Sequence, residues 1–239
     1  MITFKQLNKT YKKNHVLKNI DLEMAGSGVV ALLGPNGSGK TTMLKCFLGM
    51  VLPESGDIIF DGQSILGKYE YRSKVSYLPQ IARFPDNLSA RELISLMKEI
   101  KPGTTREARF IEVFNREKEL DKKMSSLSGG TRQKVNIILA LMHDDPLIIL
   151  DEPSTGLDPL SLQELKKFIR EEKENGKLVI ITTHILSLAE DLADEVLFLL
   201  EGNIYFNGPL QQLLNDQHGS SLEMAIAQIL RTNKEIAHA

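Results

Sequence analysis

Apolar and polar positions alternate at the start of the chain. Ile2 and Phe4, then Val16, Leu17, Ile20 and Leu22, flank a polar turn at 12–15, a spacing that predicts antiparallel strands. From Gly28 the alternation gives way to a continuous apolar run, Gly28-Val-Val-Ala-Leu-Leu33, the pattern of a buried strand, which ends in a glycine-rich loop. A helix is predicted from Lys40 to about Val51, closed by Pro53 and Gly56. Leu147–Leu150 and Leu178–Thr182 read as two more buried strands, each followed by a helix. This alternation predicts an α/β fold: a mostly parallel sheet with helices packed on it, preceded by an antiparallel β part.

The pattern changes between about Gln80 and Pro146. Strand signals vanish, and Ser89-x-x-Glu92 and Thr104-x-x-Glu107 have the capping-box spacing that starts helices. Similar pairs stand at Ser161/Glu164, Ser187/Glu190 and Ser220/Glu223. The expected organisation is therefore a core over 1–79 and 147–208, an inserted helical subdomain over 80–146, and a short helical tail over 209–239.

Composition narrows the function classes. Lys and Arg number 29 against 31 Asp and Glu, a near-balance that argues against a nucleic-acid binder with a basic face. One cysteine, Cys46, allows no intrachain disulfide and no cysteine-based metal cage, and its apolar helical setting reads as a buried structural thiol. The N-terminus lacks the basic start and apolar core of a signal peptide. No apolar run approaches the roughly 18 to 20 residues that span a bilayer. The expectation is a cytoplasmic protein, and any membrane work must go through a partner.

The strongest chemical signal follows the first buried strand. Gly34, Pro35, Asn36, Gly37, Ser38, Gly39, Lys40 and Thr41 fit G-x-x-x-x-G-K-[ST], with strand before and helix after. Glycines let backbone N–H groups curl around phosphate oxygens, and the helix N-terminus adds partial positive charge. Lys40 is expected to reach the β- and γ-phosphates of a nucleotide, and the Thr41 hydroxyl to ligate Mg²⁺. A glycine-rich turn with an incidental lysine is the alternative.

Ligands of parallel sheets sit beyond the carboxyl ends of the strands. Leu147–Leu150 runs into Asp151 and Glu152, where the first acid can hold a metal shell and the second can polarise an attacking water. A second strand ends at His184, within reach of a γ-phosphate, and a third at Gln80, which could touch the metal and the water. Taken singly, an Asp-Glu pair is equally a helix cap, and a lone His or Gln means little; their shared sheet edge is what carries the reading. His15, His143, His218 and His238 have no such placement.

Leu127-Ser-Gly-Gly-Thr-Arg-Gln-Lys134 stands just before a helix, and here the chain resembles the ABC-transporter nucleotide-binding domain, whose signature is LSGGQ. The resemblance extends over nearly the whole chain. It makes Tyr11 the adenine-stacking residue with Val16 beside it, Gly34–Thr42 (ending in Thr41 and Thr42) the Walker A loop, and Gln80 the Q-loop. It makes Leu127–Thr131 the signature, Leu147–Glu152 the Walker B strand, Thr155–Asp158 the D-loop and His184 the switch histidine. Two residues depart from the pattern: Thr131 replaces the usual Gln, and Lys134 stands where Arg is common. Ser128, Gly129 and Gly130, which would face phosphate, are intact, so altered tuning is expected and not loss of ATP use.

What the resemblance implies is a P-loop ATPase that uses ATP and Mg²⁺. Two such domains pair head to tail, each ATP lying between one Walker A loop and the other copy's Ser128–Gly130 turn, with Asp158 coupling the sites at the seam. The implied partners are a second ATPase subunit, as a homodimer or a pair, and an integral membrane permease on another chain; no nucleic acid is expected. The implied place is peripheral, on the inner face of the cell membrane. The 81–88 segment after Gln80 suits a groove for a helix of that permease. The Ser154–Pro159 run and short tail resemble the branch serving ABC-2-type export permeases, and the chain is similar to the ATPase of the copper-linked transporter for nitrous oxide reductase maturation. A soluble single-domain ABC ATPase of iron–sulfur cluster assembly is the alternative.

Overall fold

The computed structural model describes the backbone of residues 1–24, 26–216 and 221–237, and their side chains except those of 216 and 232–237. The elements run β1 (Ile2–Tyr11), β2 (Asn14–Met24), β3 (Gly28–Leu33), α1 (Lys40–Phe47), β4 (Ser55–Phe60), β5 (Gln63–Ser64) and β6 (Val75–Leu78). They continue with α2 (Ala90–Ile100), α3 (Glu107–Val113), α4 (Gly129–Leu141), β7 (Leu147–Asp151), α5 (Pro159–Glu174) and β8 (Leu178–Thr182). The chain closes with α6 (Leu186–Leu192), β9 (Glu195–Leu200), β10 (Asn203–Pro209), α7 (Leu210–Asp216) and α8 (Leu222–Ala237). Two compact units result, one of residues 1–71 with 180–239 and one of 72–179.

In the first unit, alternation does what the pattern predicted. β1 pairs antiparallel with β2 from Ile2↔Met24 to Tyr11↔Asn14, and on its other edge with β4. The continuous run of β3 is buried from Val29 to Leu33 and pairs parallel with β9, which carries β10 antiparallel on its far edge. Parallel and antiparallel sheets therefore coexist, as an α/β P-loop fold with a β subdomain requires. The Asp194 carboxylate accepts from Val29 N at 2.9 Å and fixes the entry of β3.

Helix α1 is shorter than the predicted 40–51. It stops at Phe47 because Gly49, at φ 65°, turns the chain left-handed, with Gly49 N donating to Cys46 O at 3.1 Å and Met50 N to Lys45 O at 2.9 Å. That pair is the Schellman motif, and the closing residue is Gly49, not Pro53 or Gly56. Phe47 then packs edge-on against Phe60 and Tyr71 at 5.7 and 5.8 Å, so the helix that follows the glycine loop is anchored at its far end.

The second unit pairs β6 with β7 in parallel, from Val75↔Leu147 to Leu78↔Leu150, and carries α2 to α5. Its most deeply buried described carboxylate is Glu172, 1% exposed, which accepts from both Arg106 Nη atoms at 2.9 Å and from Lys177 Nζ at 2.5 Å. Both carboxylate oxygens are thus satisfied, as burial demands.

Helix starts were legible in part. Ser89/Glu92 is a capping box in which both reciprocal bonds form. Thr104 caps nothing: α3 begins at Glu107 after Arg106, while Thr105 is held in a bridge with His143. Ser161 lies inside α5, whose cap is Asp158 three residues earlier, with Pro159 at the first helical position. Ser187 lies inside α6, which follows Ile185. Ser220, His218 and His238 lie outside the described residues. His143 is buried with Nε2 3.0 Å from Lys101 O, and His15 Nε2 is 3.1 Å from Asn8 Oδ1; both are structural. Among the described residues no helix is long and apolar enough to cross a membrane.

Candidate active site

The glycine loop after β3 is shaped by close approach. Gly34 stands at φ 146°, and a Cβ there would meet Leu199 O at 2.0 Å and Ser38 Oγ at 2.7 Å. Gly39 stands at φ 111°, and a Cβ there would meet Val16 O at 2.8 Å. Only glycine satisfies both the backbone sign and the space. The same contact sets Val16 beside the start of α1, and the β1–β2 hairpin that carries Val16 also carries Tyr11.

Within this loop Lys40 Nζ donates to Gly34 O at 2.6 Å and Pro35 O at 3.0 Å, which holds the ammonium against the loop carbonyls. Ser38 Oγ is buried and has no hydrogen-bond partner among the described residues. A buried donor without a partner costs free energy on the order of 1–3 kcal/mol. A loop of backbone N–H groups, an ammonium and an orphaned hydroxyl at a helix start fits a nucleotide polyphosphate. Tyr11 is 44% exposed, and its ring has Lys9 Nζ 5.2 Å from the centroid. His184, at the end of β8, is exposed and belongs with this first unit.

The second unit holds the other candidates. Asp151 closes β7 and is 3% exposed; Glu152 follows at 9%. Burial, and next the Asp151 carboxylate, push the Tyr77 hydroxyl up to about 12, so that ring remains a neutral donor. Glu152 adopts φ 53°, a left-handed conformation that costs a non-glycine residue roughly 1–2 kcal/mol. Gln80 follows β6 and is exposed.

Ser128 caps α4: its Oγ accepts from Thr131 N at 3.3 Å. Gly129, the first residue of that helix, is exposed, and a Cβ there would meet nothing within 4 Å. Gly130 differs, since a Cβ would come to 2.9 Å from Gly156 O. One turn on, Lys134 Nζ lies 2.5 Å from Asp158 Oδ2. The Lys134 ammonium, ahead of the Ser161 N–H and hydroxyl, holds the Asp158 carboxyl well below the usual carboxylate range. So α4 and the 152–158 loop are joined along one helix face. In the sequence Lys134 stands out only as a departure from the signature, and no local pattern points to Asp158 as its partner.

Residues 81–84, with Met124 and Arg132, line a cavity of about 420 Å³, and Ile81 is 70% exposed at its rim.

The ABC transporter family model matches residues 17–155. The lipopolysaccharide export system ATP-binding protein LptB of Haemophilus influenzae is 33% identical, over 91% of this chain and 94% of that one. The L-cystine import ATP-binding protein TcyC of Bacillus subtilis is 31% identical, over 90% and 93%. Among solved structures, an ATP-binding subunit of an ABC transporter superposes with TM-score 0.89 at 28% identity, over 96% and 99%. The dimeric, post-hydrolysis cassette MJ0796 bound to ADP and Pi superposes with TM-score 0.79 at 25% identity, over 88% and 99%.

Proposed function

We propose a division of labour among named residues from the premise that the chain belongs to the ABC transporter family and is its ATP-hydrolysing subunit. The 34–42 loop holds the nucleotide phosphates, Lys40 exchanging loop carbonyls for β- and γ-oxygens, with Thr42 at the helix start. Tyr11 and Val16 take the adenine ring. Glu152 accepts the proton of the attacking water, Gln80 orients that water, and His184 steadies the γ-phosphate. Thr41, Asp151 and Gln80 hold Mg²⁺. The bound metal supplies charge neutralisation on the transferred phosphoryl oxygens.

The second half of each site comes from a second copy, through Ser128, Gly129 and Gly130, with Asp158 at the seam. One observation carries this. Glycine at a first helical position with φ outside the left-handed range and open space around it weakens α4 and is required by nothing among the described residues of its own chain. A ligand phosphate approaching the helix N-terminus is what a Cβ at Gly129 would obstruct. Closure is then driven by tighter binding of nucleotide to the paired form than to the separate copies.

The cavity beside Ile81 receives a helix of an integral membrane permease, which places the chain peripherally on the inner face of the cell membrane. The helical segment 80–146 is the lobe that docks, 1–79 with 147–208 is the core, and 209–239 is an appended tail. Export is the proposed direction. Identity does not choose it, because an export relative at 33% and an import relative at 31% stand almost level. The reading rests on the Ser154–Pro159 run, and a cargo linked to copper and nitrous oxide reductase maturation is its narrower form.

The test is affinity purification of the tagged chain from gently solubilised membranes of its host. Recovery of a multi-span membrane protein is the expected result, and its pore identifies the cargo class. Recovery of soluble iron–sulfur assembly factors alone would leave the ATPase chemistry standing and overturn the transport role.

A further inference from the structure

Thr131 stands where the signature of this family has glutamine, and its surroundings give the substitution a role. Ser128 Oγ donates to Thr131 Oγ1 at 2.9 Å in the separate copy, and because both groups are hydroxyls the same distance serves a bond donated the other way. Behind them, Arg116 Nη1 donates to Thr131 Oγ1 at 3.4 Å. Arg116 is itself held in place: its Nε donates to Phe114 O at 2.6 Å, and Glu119 Oε1 lies 3.8 Å from Nη1. The guanidinium is 18% exposed and Glu119 23%, so this is a partly dry chain of groups and not a surface pair.

We propose that Arg116 and Thr131 form a polarised relay that turns the Ser128 hydroxyl proton toward an anion, making Thr131 a positioning residue for the signature serine. A hydroxyl donates one proton and accepts at two lone pairs, and it rotates to suit. Arg116 has no acceptor, so its N–H fixes one end of the chain. With the guanidinium donating into Thr131 Oγ1, the Thr131 proton is best directed to Ser128 Oγ. Ser128 Oγ then accepts from both the amide and the hydroxyl of Thr131, and its own proton is left to point outward. Each bond polarises the next, so the positive charge of Arg116 is felt at the Ser128 proton. Without the Thr131 hydroxyl the cap survives, because the Thr131 N–H is backbone, but the Ser128 proton loses its orientation.

This rests on the reading that Ser128 donates to the nucleotide of a second copy, and the experiment separates the two. Dimer formation is followed by light scattering on gel filtration against ATP concentration, in full-length Glu152→Gln protein with Mg²⁺. Thr131→Val removes the hydroxyl at constant shape and raises the ATP concentration for half-dimerisation about tenfold, the loss of one hydrogen bond to a charged group. Thr131→Ser restores it to within about twofold of the parent. Arg116→Gln weakens dimerisation likewise, and adds little once Thr131→Val is present. Nucleotide binding by the separate copy is unchanged in Thr131→Val, a readout that a folding defect would move. In the hydrolysing parent, Thr131→Val raises KM for ATP and leaves kcat near its value. If Ser128→Ala weakens dimerisation and Thr131→Val does not, the relay is wrong and the phosphate reading stands. If neither does, the phosphate reading itself falls.

Discussion

The two glycine turns of this molecule both lead into helices, yet they are built for opposite reasons. In the 34–39 loop Gly34 and Gly39, both at left-handed φ, face backbone oxygens at 2.0 and 2.8 Å, while Gly37 needs glycine for its φ of 80° alone. Around 128–130 the glycine φ values are ordinary, a side-chain oxygen does the capping, and Gly129 faces open space. The first turn is a finished cradle made by its own chain. On the proposed reading the second is a half-site, kept open at a cost in helix propensity. A glycine motif therefore has two meanings, and the space around it tells them apart.

The largest expected effect falls at the proposed base. Glu152→Gln keeps the side chain's shape and removes the proposed acceptor of the water's proton. Turnover falls by about 10²–10⁴-fold, while ATP remains bound and a dimer accumulates on gel filtration with Mg²⁺. Turnover within a few-fold of the parent would move the base elsewhere.

Next comes the finished cradle. Lys40→Ala removes an ammonium that makes two hydrogen bonds to the loop, at 2.6 and 3.0 Å. ATP affinity of the separate copy falls about a hundredfold in equilibrium titration. Because the glycines are held by packing and not by Lys40, the loop keeps its form, and thermal stability without nucleotide changes little. Unchanged affinity would mean the loop is only a turn.

Behind the cradle, α1 is expected to be inert. Burial, opposed weakly by Lys9, pushes the Cys46 thiol from 9.0 up to about 11. At pH 8 the thiolate fraction is about a hundredfold below that of a free thiol, and alkylation of the native protein slows accordingly. The folded pKa is raised, so the stability linked to this group is complete below pH 9 and is lost as pH climbs toward 11. Cys46→Ala leaves ATPase activity intact.

The same contrast explains what could be read in advance. The cradle was legible because its residues are contiguous and backbone geometry dictates their types. The boundaries that failed were decided by chemistry the patterns overlooked. Gly49 ended α1 because its left-handed φ completes two closing bonds, and Asp158 displaced Ser161 as cap because Pro159 preorganises the turn after it. The half-site was legible only as a motif. Its supporting contacts, Lys134 to Asp158 and Arg116 to Thr131, join residues 24 and 15 positions apart, which no local period discloses.

The smallest effect separates the turns most sharply. Gly129→Ala places a methyl group in open space at the first position of α4, so nothing in its own chain resists it. Helix propensity favours alanine by about 0.8–1.0 kcal/mol in a helix interior and by less at an end, so the unfolding midpoint of the separate copy holds or rises by up to about 2–4 °C. ATP binding by that copy is unchanged, since the cradle is elsewhere in the chain. ATP-driven dimerisation in the Glu152→Gln background nevertheless weakens, because the methyl stands where the second copy's phosphate must approach the helix N-terminus. Opposite signs from a single methyl group are the signature of a residue kept small for a ligand bound by another copy. A Gly129→Ala protein that dimerises like its parent would show that the open face serves no such approach, and the contrast between cradle and half-site would collapse into two ordinary turns.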